Sequence, residues 1–275
     1  MEPVEYRPRQ KKRSRRCVFL TVVAVLLLIV VLAVAFGVAL GRSTESFKTT
    51  FTDRCEKFGG YDCEKVWSAF EQAYVGKDPC KVPMEAYDPL IAAAPFQPVC
   101  NRVMFWSKTK DVVHEFTAKK DCFTTLEDTL LGSVLDHLTW CGKEGSTETF
   151  TSDCPEWKYC ENNTVRSFWN RVSAGFAEAA CGDATAMLNG SIATPFALDS
   201  IFGSIEVKRF DHKKMKSLNI VLVTQENNVS DCTNPSLKNL QKELDDSIHY
   251  TCKEVSEAQI QACGSDPEAP CGACW

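Results

Sequence analysis

The chain has 275 residues and 30.7 kDa, 44% of them hydrophobic and 24% charged, which excludes a disordered or collagenous polymer and leaves room for one large domain or two small ones. Fifteen cysteines stand beside four scattered histidines, His114, His137, His212 and His249, with no CxxC…HxxxH pairing, so disulfides in an oxidising compartment explain them better than a metal cluster. The net charge of −5 hides an asymmetry: residues 1–42 carry 8 Lys+Arg against 2 Asp+Glu and the remainder 23 against 34, and so acidic a body excludes nucleic acid as a partner.

From Cys17 to Gly41 the sequence runs 25 residues without a charge. About 20 apolar residues cross a bilayer, and the core of a cleaved signal peptide is usually only ~7–15 long, although Ala33-Val34-Ala35 mimics a cleavage site. Arg7, Arg9, Lys11, Lys12, Arg13, Arg15 and Arg16 precede the run and assign the N-terminus to the cytoplasm. The same basic cluster is able to bind anionic lipid, but its role in topology accounts for it. The expected organisation is a cytoplasmic tail over 1–16, an uncleaved transmembrane helix over 17–41, a polar stalk over 42–54 and an extracellular domain over 55–275. Cys17, at the membrane boundary, is a candidate for palmitoylation. Three sequons begin at Asn162, Asn189 and Asn228, all in the part assigned outside, whereas Asn234-Pro235-Ser236 is excluded by its proline.

Within the body, Val66, Phe70 and Tyr74 fall at helical spacing in a segment that opens at Asp62 and closes on Gly76. Residues 99–106 have the β-branched and aromatic content of a strand, followed by a helical turn over Asp111–Phe116. Leu126, Leu130, Val134 and Leu138 predict a helix from Thr124 to Trp140. A loop stapled by Cys141, Cys154 and Cys160 comes next, then a second strong helix over Val165–Ala180. Thereafter Ser200–Val207, Leu218–Thr224 and His249–Val255 read as strands and Leu237–Ile248 as a helix. The fold class is α/β (α+β), with a mostly helical lobe beside a smaller α/β lobe and a cleft between them as the default binding site.

No Gly-rich phosphate loop, GxSxG elbow or HExxH is present, which leaves carboxylates and tryptophans to carry any chemistry. Glu206 interrupts the apolar run Phe202-Gly203-Ser204-Ile205-Glu206-Val207; by simple alternation in a strand it would point to solvent. Glu127 has a capping-box role available in Thr124-Thr125-Leu126-Glu127, yet it shares a helical stripe with Leu131, Val134 and Leu138. Asp136 lies nine residues further on, on the opposite side of an unbroken helix, so both acids line one pocket only if the helix kinks or ends between Gly132 and Asp136. Trp106 ends the first strand. Trp169 sits one turn ahead of Ser173, and either indole is a core residue or a stacking face for a planar ring.

The stretches Cys100-Asn101-Arg102 to Trp106-Ser107, Thr125-Leu126-Glu127-Asp128-Thr129-Leu130-Leu131-Gly132, Leu138-Thr139-Trp140-Cys141-Gly142, Phe176-Ala177-Glu178-Ala179-Ala180-Cys181 and Phe202 to Val207 resemble the ADP-ribosyl cyclase / cyclic ADP-ribose hydrolase family over about residues 55–263. The N-terminal anchor is similar to that of the family's type II membrane member rather than its lipid-anchored or soluble ones. The resemblance implies a helical lobe (about 55–99 and 125–180) and a lobe with a four-stranded parallel sheet (about 100–124 and 181–275). It implies a catalytic Glu206, stacking by Trp106 and Trp169, nicotinamide contacts from Glu127 and Asp136, and ribose and phosphate contacts from Ser107, Lys108, Ser173 and Phe202. Two departures stand out: Lys108 replaces an arginine and loses its bidentate fork, and Ile201 replaces a threonine and loses a hydroxyl. Cys100 and Cys181 match a pair linked in the family to the hydrolase step, or form a structural disulfide. The resemblance and local spacing together give the set Cys55–Cys63, Cys80–Cys160, Cys100–Cys181, Cys141–Cys154, Cys232–Cys252 and Cys263–Cys271, with Cys122 and Cys274 left over.

The activity so implied is that of a membrane-anchored ectoenzyme, relevant to calcium signalling, that cleaves the nicotinamide–ribose bond of NAD to ADP-ribose and cyclic ADP-ribose and hydrolyses the latter. NADP is a second candidate substrate and a homodimer a candidate assembly. NAD is the substrate, and neither metal nor cofactor is expected. The departing nicotinamide already carries positive charge, so no general acid is needed, and one carboxylate, Glu206, suffices to oppose the oxocarbenium ion while Glu127 biases water against adenine as the second nucleophile. The alternative is a receptor or adhesion module on the same scaffold.

Overall fold

The computed structural model describes residues 15–225 and 229–275, with residues 15–21, 32–45 and Ala273 described through the backbone alone. Residues 1–14 of the expected tail over 1–16, and the sequon at Asn228, lie outside the described residues. Helix α1 (Arg15–Glu56) carries the apolar run and continues beyond it without a break. Within that run the described side chains are those of 22–31, and counted on the described residues no helix is long and apolar enough to cross a membrane.

Residues 42–54, expected as a stalk, are instead the last turns of α1. Phe47 and Phe51 are buried at 6% and 0% exposure, and they lie two turns and one turn ahead of Cys55, which is itself buried. These rings meet Trp67 and Phe70 of α2 (Cys63–Tyr74), and Phe47 also meets Trp140. Helix α2 is the one the spacing of Val66, Phe70 and Tyr74 predicts, and Asp62 caps it by accepting the Lys65 N–H at 3.1 Å. A short helix α3 (Asp88–Ala93) follows.

The sheet has four parallel strands in the order β1-β2-β3-β4: β1 (Met104–Ser107), β2 (Gly182–Asn189), β3 (Met215–Thr224) and β4 (His249–Ser256). Parallel strands require crossovers. Between β1 and β2 run α4 (Lys110–Lys119), α5 (Leu130–Leu135) and α6 (Thr164–Ala179), and between β3 and β4 runs α7 (Pro235–Glu243). The chain closes with α8 (Glu257–Ser265). Alternate residues bury both sheet faces. Ala184, Ala186, Leu188, Leu218, Ile220 and Leu222 join one continuous core with Phe51, Trp140, Phe168 and Phe176, while Met187, Val221 and Val223 face α4 and α8.

One expected strand fails, and one observed strand was not expected. Ser200–Val207 is not a strand: Phe202–Glu206 forms a π-helical turn that runs on into a 3-10 turn to Arg209. The fourth strand is β2, which passes unnoticed in the sequence because Gly182-Asp183-Ala184 opens it without a β-branched or aromatic residue.

Among the described residues seven disulfides hold the fold, and five expected pairs form: Cys55–Cys63, Cys80–Cys160, Cys100–Cys181, Cys141–Cys154 and Cys232–Cys252. Cys263–Cys271 does not. Cys263 pairs with Cys274 and Cys271 with Cys122, which fastens the C-terminal segment across the loop after α4. Spacing misleads here because Cys271, which opens a 3-10 turn, and Cys274, which caps it, send their sulfurs to different elements.

Candidate active site

A cavity of about 520 Å³ opens at the C-terminal edge of β1, the end of a parallel sheet where ligands usually bind. Its wall includes all of Trp106, Ser107, Lys108, Glu127, Asp136, Trp169, Ser173, Phe202 and Glu206. Every non-cysteine residue nominated for the site from the sequence is thus brought to one place.

β1 delivers the first three. It is followed by Lys108, whose φ of +58° is a left-handed conformation unfavourable to a side chain with a Cβ. Asn189, at the end of β2, braces it by donating from Nδ2 to the Lys108 carbonyl at 3.1 Å, and Thr109 Oγ1 donates to the Met187 carbonyl at 3.0 Å. The turn reverses the chain into α4, whose Lys110 reaches Asp136 at 3.1 Å.

The expected helix from Thr124 to Trp140 is broken into pieces, and the break forms the site. Thr125, rather than Thr124, caps a 3-10 turn over Leu126–Asp128, and Asp128 supplies the returning carboxylate at 2.8 Å. Glu127 is therefore released from capping. It accepts the Trp106 indole N–H at 3.1 Å and makes an ion-pair contact with His114 Nε2 at 3.4 Å, both through Oε2. Burial pushes its carboxyl up, but the contacts with His114 and Trp106 outweigh that and hold it below its ordinary value. Gly132 lets α5 fold back on this turn, since an added Cβ would sit 2.0 Å from the Leu126 carbonyl oxygen. α5 then stops at Leu135, where Arg54 of α1 donates to the carbonyls of Ser133, Val134 and Asp136 at 3.2, 3.3 and 2.8 Å. The required terminus falls between Gly132 and Asp136, and Asp136 turns into the cavity.

α6 starts on Asn163, whose Oδ1 accepts from Val165 and Arg166 at 3.0 Å, and aligns Trp169, Ser173 and Phe176 on the cavity side. Across from it, the π-helical turn widens the helical register and places Phe202 and Glu206 on the same wall; such turns recur at functional sites. Glu206 is only 7% exposed. Desolvation raises its pKa from 4.5 to about 8, a hydrogen bond with Ser173 opposes the rise, and the negative Glu127 adds to it. Solvent-facing alternation, the ordinary expectation for a strand glutamate, is ruled out here by that burial.

Cys100 and Cys181 precede β1 and β2 and lie at the opposite, N-terminal edge of the sheet, where their disulfide ties strand to helix end away from the cavity. Sequence reasoning missed the lining residues Lys110, His137, Thr139 and Trp157. Trp157 sits in the stapled loop, where no periodicity marks an orientation. Lys110 was findable as the next basic residue after Lys108 beyond the Trp106 strand end.

A buried carboxyl whose acting charge is another carboxylate favours a cation, and an aromatic-walled cleft around it defines a site for a planar, positively charged ligand. The chain belongs to the ADP-ribosyl cyclase family, whose model matches residues 44–272. It is 36% identical over 214 residues to ADP-ribosyl cyclase/cyclic ADP-ribose hydrolase 1 of Rattus norvegicus, covering 76% of this chain and 71% of that one. To ADP-ribosyl cyclase/cyclic ADP-ribose hydrolase of Aplysia californica it is 31% identical over 85% of this chain and 84% of that one. Porcine CD38 complexed with a covalent intermediate, ribo-F-ribose-5'-phosphate, superposes with a TM-score of 0.72 at 36% identity, over 76% of this chain and 96% of that one.

Proposed function

We propose that this chain is an NAD glycohydrolase and ADP-ribosyl cyclase that also hydrolyses cyclic ADP-ribose, with Glu206 as its catalytic carboxylate. The observation that carries this reading is the buried Glu206 carboxyl, raised to about 8 and facing two tryptophans. An empty pocket keeps it largely neutral at pH 7, and arrival of the positively charged nicotinamide favours its ionised form. Trp106 and Trp169 supply the stacking faces, Glu127 and Asp136 hold the nicotinamide, and Ser107, Lys108, Ser173 and Phe202 contact ribose and phosphate.

As the C–N bond breaks, nicotinamide leaves as a neutral molecule with the bonding electron pair, and no proton is required. Glu206 opposes the oxocarbenium ion left on the ribose, or bonds to it, in a pocket that excludes bulk water. Water then gives ADP-ribose, whereas the adenine ring of the same molecule, folded back, gives cyclic ADP-ribose. Neither path calls for a metal or prosthetic group. Lys108 in place of arginine offers a point charge rather than a planar fork, so the phosphate grip is looser.

The same reading places the 25-residue apolar run in a membrane with the body outside, glycosylated at Asn162, Asn189 and Asn228. The exposure of Leu26, Leu27 and Leu28, between 56% and 61% without a covering element, supports it. Incubating the purified body with an NAD analogue that fluoresces on cleavage tests the activity: release of nicotinamide that disappears in Glu206→Gln is expected, and an inert wild type would leave the receptor or adhesion reading.

A further inference from the structure

One ionisable group touches this machinery without lining the cavity. His114 projects from the second turn of α4, 25% exposed, with Nε2 3.4 Å from Glu127 Oε2 and its ring edge-on to Trp106 at 5.7 Å and 83°. Since Trp106 Nε1 donates to the same oxygen at 3.1 Å, one corner of the Glu127 carboxylate is gripped from behind by two rings. The His114 Nε2 atom is fully enclosed and has no aligned hydrogen bond, so Glu127 is its one polar neighbour of opposite charge at contact range.

The charges that act on His114 are Glu127, Lys110 and Asp128, and the first and last favour its protonated form while Lys110 opposes it. Lys110 is itself engaged by Asp136. β1 and α8, which also pack on α4, bring no charge to His114 among the described residues. The contact with Glu127 raises the His114 pKa above its ordinary value of 6.5, so the charged pair holds below that raised value and is lost as pH rises through it.

We propose that His114 is a positioning residue that acts through Glu127: protonated, it holds the carboxylate against Trp106, and neutral, it releases the carboxylate into the cavity, so that the split between cyclic and hydrolysed product follows the charge on His114. This rests on the reading of the cavity as an NAD site. A neutral imidazole presents either a lone pair or a weaker donor to Glu127, and a lone pair opposite a carboxylate oxygen repels it. The freed carboxylate swings inward, brings water with it and takes space that the folded adenine needs. Hydrolysis gains at the expense of cyclisation.

The test is the ratio of cyclic ADP-ribose to ADP-ribose formed from NAD by the whole glycosylated body, from about pH 5.5 to 8.5, spanning the histidine range. Read at initial rates, before the cyclic product is itself hydrolysed, both products come from one intermediate, so the ratio does not depend on how much of a variant is folded. In the unaltered protein the cyclic share should fall by about three- to fivefold across that range, as expected for loss of one partly exposed ion pair. His114→Gln donates a hydrogen bond but does not titrate, and should give a high, flat share; His114→Leu should give a low, flat share. A pH-dependent step of the same size in His114→Gln would overturn the proposal, as would a flat share in the unaltered protein. No NAD cleavage by the unaltered protein would overturn the NAD reading itself, an outcome distinct from cleavage with an unmoved ratio.

Discussion

Replacing Glu206 by Gln should make the protein both more stable and nearly inactive, and the size of the stability change follows from the site. Glu206 is buried at 7% exposure, and its pKa is raised from 4.5 to about 8, first by desolvation. Below pH 4.5 the carboxyl is protonated folded and unfolded alike, so it does not bias folding. Between 4.5 and 8 the unfolded chain gives up the proton and the folded chain keeps it, and the penalty to folding grows with pH. It reaches about 3 kcal/mol at pH 7 and about 5 kcal/mol above pH 8, as upper bounds. Glutamine removes the titration while keeping shape and the Ser173 partner. Glu206→Gln should therefore melt about 6–12 °C higher at pH 7, and the gain should nearly vanish at pH 4.5. Turnover should fall by ~10²–10³ or more, for hydrolysis and cyclisation alike, while NAD binding falls far less, since Trp106, Trp169, Ser107 and Ser173 still hold it. Thermal unfolding at the two pH values, with disulfides intact, and steady-state assays measure both halves. A variant with the same stability increment at pH 4.5 and pH 7 would refute the raised carboxyl, and one that keeps most NAD cleavage would refute Glu206 as the catalytic group.

Further outcomes follow from other parts of the molecule. Because Glu206 is largely neutral in the empty pocket, kcat/KM for NAD should rise with pH and level near 8, while kcat, set in the complex with a cation, should level at lower pH; coincident profiles would contradict this. Gly132→Ala forces a Cβ to within 2.0 Å of the Leu126 carbonyl oxygen and should destabilise the fold by about 3 kcal/mol or more in denaturant titrations, so a change under about 1 kcal/mol would count against the fold-back of α5. Non-reducing peptide maps should join Cys122 to Cys271 and Cys263 to Cys274, and a Cys263–Cys271 peptide would reject that pairing.

Residue chemistry located the site better than secondary structure did. The acids and tryptophans were legible because carboxylates among apolar residues and paired indoles are uncommon, whatever element carries them. The element itself was not. Phe202 to Val207 has the aromatic and β-branched content of a strand, but Ser200 accepts the Gly203 N–H through its hydroxyl at 3.0 Å, and an added Cβ on Gly203 would lie 2.4 Å from the Ala197 carbonyl oxygen. Local capping and a glycine that permits close approach outweigh intrinsic propensity here. The break after Leu135 was legible only as a requirement, because the group that satisfies its carbonyls, Arg54, lies far away in sequence. In α1 a signal was present and passed over: Phe47, Phe51 and Cys55 recur every four residues through a segment whose polar average suggests a linker.

That segment decides where a soluble form of the enzyme can begin. A cut just before Cys55, at the boundary the polar average suggests, discards Phe47 and Phe51 and opens the face of α2 that holds Trp67 and Phe70. It also discards Arg54, and with it the donor to the carbonyls of Ser133, Val134 and Asp136, at the break where Asp136 turns into the cavity. Because α1 passes from the apolar run into the body without a break, the two share one helix rather than a separate linker. Whatever holds the apolar run therefore grips the same helix whose last turns pack on α2 and α5, next to the break that forms the cavity wall.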